Sequence, residues 1–226
     1  MRARVPIAAL AALAALLLAA LGVWQIERRA WKLDLIARVD ARLHAPAVPP
    51  PATAGPDDAY LRVRATGEWI AGPPVRVKAV TALGSGWWAM NALSTPAGTV
   101  LINRGFVPDN ARVPPPSARG PAIVDGLLRL SEPGGAFLRR NQPEADRWFS
   151  RDVAAIARAR GWPSPLPYFI DADAISGASW PRGGLTVVRF PNNHLVYALT
   201  WFALSGLAAF FAWRIMRGPA GRQLTP

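Results

Sequence analysis

Residues 6–26 read PIAALAALAALLLAALGVWQI and residues 195–213 read LVYALTWFALSGLAAFFAW; neither run holds a charged side chain. At 1.5 Å per residue, each run as a helix reaches about 30 Å, the thickness of a bilayer's hydrocarbon core. The second is apolar on every face, which suits lipid better than a soluble interior. A cleaved signal peptide competes for the first, with Ala19 and Ala20 as small residues near a cleavage point. Against it, the run continues through Trp24 into Glu27-Arg28-Arg29-Ala30-Trp31-Lys32-Leu33, which suits one helix leaving through the headgroups. Two spans put both termini on one side of the membrane.

The spans divide the chain into a tail at 1–5, a first transmembrane helix at 6–26, an exit helix and Pro-rich linker at 27–56, a β-rich domain at 57–193, a second transmembrane helix at 194–216 and a tail at 217–226. The tails carry Arg2, Arg4, Arg214, Arg217 and Arg222 and no acid, so the positive-inside rule makes them cytoplasmic and the central domain periplasmic. Arg28, Arg29 and Lys32 beyond the first span count against this orientation. Five residues before the first span leave no room for a transit peptide, so a bacterial inner membrane is the expected host.

The composition removes many functions. The 226 residues include no cysteine, which excludes disulfide scaffolds, zinc ribbons, iron–sulfur clusters and haem attachment through thioethers. Only His44 and His194 supply imidazole, too few for most metal-dependent or triad hydrolases. The net charge of +12 would suit nucleic acid, yet no basic run is interleaved with aromatics as a stacking platform requires, so no nucleic acid partner is expected. No Gly-x-Ser-x-Gly or Walker-type loop occurs, and the acids are scattered.

Between the spans, Trp31 to Leu43 has helical spacing and then gives way to Ala45-Pro46-Ala47-Val48-Pro49-Pro50-Pro51, read as a polyproline spacer. Residues 60–65 and 75–79 alternate and are joined by Gly72-Pro73-Pro74, which predicts a hairpin. Further strands are expected at 87–93, 99–107, 123–130, 168–171 and 185–190, with a turn at Gly84-Ser85-Gly86, an exposed proline loop at 113–116 and a helix over 146–160 closed by Gly161. The fold class is thus a membrane protein in which two transmembrane helices flank one mainly antiparallel β (α+β) extracytoplasmic domain.

His194 is the most suggestive single residue. Asn193 is a good helix N-cap, which puts His194 in the first turn of the second span, where the positive end of the helix favours the neutral ring that haem iron requires. Tyr197, Ala198 and Trp201 follow at helical spacing and share its face. Simple anchoring of aromatics at headgroup depth is the alternative on these residues alone. Trp24, Gln25, Arg28 and Arg29 leave the first span at the same depth. If the helices pack together, the arginines could pair with porphyrin propionates, or else snorkel to lipid phosphate. Ala8, Ala11, Ala15 and Ala19 form a small-residue stripe on which another helix could pack. Asn103-Arg104-Gly105 at a strand end could be an active loop, or only a bulge and turn.

Several of these motifs together resemble the Surfeit-locus-one family of cytochrome c oxidase assembly proteins. The resemblance rests on Leu21-Gly22-Val23-Trp24-Gln25 with Arg28-Arg29 and Trp31-Lys32, on residues 100–108 (VLINRGFVP), on Pro191-Asn192-Asn193-His194-Leu195 with residues 197–202 (YALTWF), and on Trp148-Phe149-Ser150-Arg151-Asp152 and Pro181-Arg182-Gly183-Gly184. Where the family commonly shows Thr-Pro-Leu, this chain has Met90-Asn91-Ala92-Leu93. The resemblance implies a non-enzymatic factor that binds haem a transiently through the histidine matching His194 and assists its insertion into oxidase subunit I, with haem a synthase as a further partner. A scaffold that holds oxidase subunits without touching haem is the alternative, and an enzyme working through Asn103-Arg104-Gly105 a weaker third.

Overall fold

The computed structural model describes residues 4–111, 121–136, 138–175 and 180–217. The proline loop expected at 113–116, Arg2, Arg222 and most of both expected tails lie outside them. The chain divides into two compact units, Met1–Arg38 with Arg189–Pro226, and Val39–Val188. Two long apolar helices flank a mainly antiparallel β domain, as the hydropathy pattern predicts.

Helix α1, Arg4–His44, is one uninterrupted helix of 41 residues. At 1.5 Å per residue it is about 60 Å long, roughly twice a bilayer core, so its apolar first half and charged second half need different surroundings. It stops where Pro46 and the prolines after it cannot continue it.

Strands β1 (Arg62–Trp69), β2 (Val75–Thr81), β3 (Gly84–Thr95), β4 (Gly98–Pro108) and β5 (Ala122–Leu130) follow. A two-stranded ribbon of β6 (Gly135–Ala136) and β7 (Arg139–Arg140) precedes helix α2 (Val153–Arg160) and strand β8 (Pro165–Ala172). The sheet runs β1-β5-β8-β4-β3-β2, and β1 also pairs with β3, so five strands close on themselves. Every pairing is antiparallel except that of β4 with β8. Val63, Ala65, Leu93, Val100, Ile102, Leu128, Tyr168 and Ile170 pack into one buried cluster. A second cluster forms where Trp148, Val153 and Ile156 cover Val75, Val77, Met90, Leu101 and Phe169.

The expected hairpin between β1 and β2 does not form. Both strands run antiparallel to β3 along the same edge, Trp69 opposite Leu93 and Val75 opposite Met90. Pro73 and Pro74 have no N–H for the ladder, so the chain leaves the sheet there and rejoins it further along rather than turning back. The true hairpin turn is Ala82-Leu83, because Thr81 pairs with Gly84 and Gly84 to Gly86 already belong to β3.

Two other expectations need correction. The helix expected over 146–160 begins only at Val153, capped by Asp152, whose carboxylate accepts from Ala155 N at 3.1 Å. Residues before it are held extended instead: Trp148 is buried, its indole donates to Asp146 at 2.8 Å, and its carbonyl accepts from Lys78 N at 2.8 Å. Gly161 closes the helix in the left-handed conformation as expected. No strand forms over 185–190, because both edges of β8 and of β4 along Asn103 are taken. The chain there is a strap, fixed by the Phe106–Arg182 bridge and by Gly184 N donating to Ala172 O at 2.9 Å.

The Pro-rich linker is no free spacer. Val48 bridges to Val63, and the buried Tyr168 hydroxyl donates to Pro51 O at 2.5 Å. Burial pushes that phenol up to about 12.

Gly105, on β4, is where the strap passes closest to the sheet. Its φ is +128°, and a Cβ there would lie 2.1 Å from the Arg182 carbonyl carbon and 2.4 Å from Gly183 N. Gly105→Ala is expected to cost about 3 kcal/mol, a value typical of backbone strain plus a clash, where Gly134→Ala with open space costs less. Paired thermal melts check this, and equal melting temperatures for the two variants would contradict it.

Candidate functional site

The charge-free run of α1 packs against helix α3, His194–Arg217. On α1 the positions shielded from solvent include Ala8, Ala11, Ala15, Leu18, Gly22, Gln25 and Arg29, with Ala14 and Ala19 beside them; on α3 they include His194, Ala198, Trp201, Ser205, Ala208 and Ala212. The centre of each set steps by three and four residues, the spacing of one helix face. The alanine stripe read from the sequence is therefore a helix-packing face, and it continues through Gly22 into Gln25. Gly22 lies under the Phe202 ring, which a Cβ there would meet at 2.6 Å, so any larger residue requires that ring to move. Ser205 Oγ donates to Ala15 O at 2.7 Å, a side-chain hydrogen bond of the kind that joins packed membrane helices.

At one end of this seam between α1 and α3, Gln25 and His194 meet. His194 Nδ1 lies 2.7 Å from Gln25 Oε1. The amide oxygen can only accept, so this contact suits the neutral tautomer that carries its proton on Nδ1, the form in which Nε2 has a free lone pair. Gln25 is buried, His194 half-buried, and Ala198, one turn further along α3, is fully buried and leaves room beside the ring. Asn193 precedes the helix and its carbonyl accepts from Tyr197 N at 3.3 Å. The Asn192 side-chain oxygen is buried with no hydrogen-bond partner in the described structure.

The other candidate residues do not all gather on His194. Trp201 lies on the seam with it, whereas Tyr197 and Trp24 point outward and are about half exposed. The two arginines separate as well. Arg28 is drawn aside, its guanidinium 4.0 Å from the centre of the Trp31 ring, while Arg29 lies on the seam one turn beyond Gln25. Lys32 follows on that face, 5.8 Å from the Phe190 ring. Gln25 is the residue that sequence reasoning undervalued. Its signal was an uncharged amide within an otherwise apolar run, in phase with the alanines.

Within the β domain, the Asn103-Arg104-Gly105 stretch serves the barrel. Asn103 is buried, donates to Asp171 at 2.8 Å and accepts from Gly105 N at 3.1 Å. Asp171, also buried, accepts in addition from Arg129 at 3.0 Å, Thr186 at 2.9 Å and Arg151 at 3.3 Å, and Arg151 forks onto Glu132. Two cations and two anions balance, so this network ties β4, β8 and the strap together, a buried arrangement that satisfies its own charges. Arg104 lines a cavity of about 640 Å³ with Trp69, Ile102 and Trp180, and its guanidinium reaches Asn91 at 3.4 Å. Burial pulls it below the usual arginine range. His44 is exposed beside Asp40.

Among the described residues no group of three or more His, Asp and Glu side chains could hold a bare metal ion. A porphyrin iron, whose macrocycle supplies its own nitrogens, asks a single side chain of the protein, and a half-buried imidazole whose Nδ1 is engaged by an amide fits that demand.

A sequence model of the SURF1 family matches residues 12–206, from the seam of α1 through the β domain to the middle of α3. The chain belongs to the SURF1 family. It is 34% identical to Surfeit locus protein 1 of Mus musculus over 84% of this chain and 69% of that one. With Surfeit locus protein 1 of Homo sapiens it shares 35% identity, over 89% of this chain and 75% of the relative. These relatives are mammalian, so the expectation of a bacterial member is not borne out by them. The match takes in Gln25 and His194, both partners of that contact in this SURF1-family chain.

Because the chain has no cysteine of its own, a single introduced pair reports on the seam. Cysteines replacing Ala15 and Ser205 are expected to form an intramolecular disulfide under mild oxidant, seen as a mobility shift without reductant, while a pair at Leu13 and Ser205 does not. Equal cross-linking of both pairs would contradict the helix register described here.

Proposed function

We propose that this SURF1-family chain is a membrane-anchored, non-enzymatic assembly factor for cytochrome c oxidase, which binds haem a at the outer end of its helix pair and presents it to oxidase subunit I. The observation that carries the reading is the placement of His194. Its Nδ1 contacts Gln25 on α1, an arrangement that supports a role for Nε2 as an iron ligand. Haem a would bring an iron, two anionic propionates and a long apolar tail.

The residues around His194 divide these demands. His194 Nε2 would hold the iron. Arg29, on the seam one turn from Gln25, offers a guanidinium fork to a carboxylate, and Trp201 offers a flat apolar wall. Arg28 is less suited, since Trp31 already occupies its guanidinium. A site at the boundary between lipid and water lets an isoprenoid tail stay in the bilayer while the propionates stay at the polar edge. In this reading the arginine-bearing tails are cytoplasmic, the β domain lies across the membrane from them, and haem a synthase and oxidase subunit I are the donor and acceptor. The host membrane is one that houses cytochrome c oxidase.

The test is the absorption spectrum of the full chain purified from a host that makes haem a. The wild type is expected to carry a haem a band and His194→Ala to lose it, while His44→Ala keeps it. A wild-type chain that co-purifies with oxidase subunit I and carries no chromophore would favour the scaffold alternative and reject the haem reading.

A further inference from the structure

Resting on the haem reading above, we propose that Gln25 is a positioning residue that sets how tightly His194 holds iron, and that its being an amide rather than a carboxylate makes the chain a releasing carrier. The polar partner of a ligating imidazole commonly tunes the metal. A carboxylate on the far ring nitrogen pulls the N–H proton toward itself, gives the ring imidazolate character and strengthens the bond to iron. An amide oxygen fixes the same tautomer and ring orientation but withdraws far less of the proton.

The structure provides the conditions for such an effect. The contact is short, at 2.7 Å between Nδ1 and Oε1. Gln25 is buried in the helix seam, where low polarity strengthens the hydrogen bond and water cannot replace the amide. The two partners come from different helices, and Gly22 and Ala198 on either side let the backbones approach closely enough for it. A glutamate would have the same reach and shape as Gln25, so the choice between them concerns electronic strength and not fit. Among the described residues no carboxylate is hydrogen-bonded to His194, so the amide sets the ring's basicity.

The experiment reconstitutes purified full-length chain in detergent with haem a and compares wild type, Gln25→Glu, Gln25→Leu and His194→Ala. Two quantities are read: the rate at which haem a passes to apomyoglobin, and the reduction potential of the bound haem. Gln25→Leu is expected to release haem at least tenfold faster, in the range that loss of such a partner gives. Gln25→Glu is expected to release it several-fold more slowly and to move the potential in the negative direction, since a more basic axial ring favours ferric iron. The Ala15/Ser205 cross-link confirms that each variant keeps its helix pair. Wild-type release rates and potentials in both Gln25 variants, with binding lost only in His194→Ala, would overturn the role of Gln25 and leave the haem reading standing. Absence of haem from the wild type itself would overturn both.

Discussion

A single hydrogen bond between two helices, from the His194 ring to the Gln25 amide, is the constraint on which the functional geometry depends. It can form only because the two apolar runs pack face to face. That packing depends in turn on small residues, Ala15, Gly22 and Ala198, at positions where larger side chains would hold the backbones apart. In lipid there is no hydrophobic drive to bring two helices together, so close contact and hydrogen bonds such as Ser205 to Ala15 O must do it. A buried amide at the end of such a seam is costly unless it has a partner, and His194 provides one.

The β domain obeys a different economy. Its barrel closes because β3 is long enough to pair with β2 along one part of its edge and with β1 along the next. Two prolines interrupt what would otherwise be one continuous strand, and that interruption makes closure possible. The strap from Trp180 to Val188 then crosses the open end of β4, held at Gly105 by the absence of a side chain and at Asp171 by the Thr186 hydroxyl. The most prominent polar motif of the central region, Asn103-Arg104-Gly105, is in this way largely committed to architecture.

Much of this was legible in the sequence. The two long apolar helices, the strands from β1 to β5 and the fold class follow from uncharged runs and from alternation, which are local signals. What failed was non-local. Whether the chain reverses at Gly72-Pro73-Pro74 depends on which edge of β3 is open, and whether residues 185–190 become a strand depends on neighbours already being paired. The helix expected from Asp146 was shortened for a similar reason, since the burial of Trp148 outweighed a helical periodicity. At the candidate site, His194 stood out as one of two histidines, but Arg28 and Arg29 could not be told apart until helix phase placed one on the seam and the other against Trp31. Gln25 was visible only as a polar letter in an apolar run.

The central claim concerns one proton on one ring, and nitrogen NMR reads it directly. With 15N-labelled histidine in the ligand-free chain in lipid, and His44 replaced by glutamine so that a single histidine signal pair is left, the account predicts a protonated Nδ1 and a bare Nε2 at His194. A ring protonated at Nε2, or one that exchanges freely between both forms as an imidazole in open lipid or water does, would contradict it.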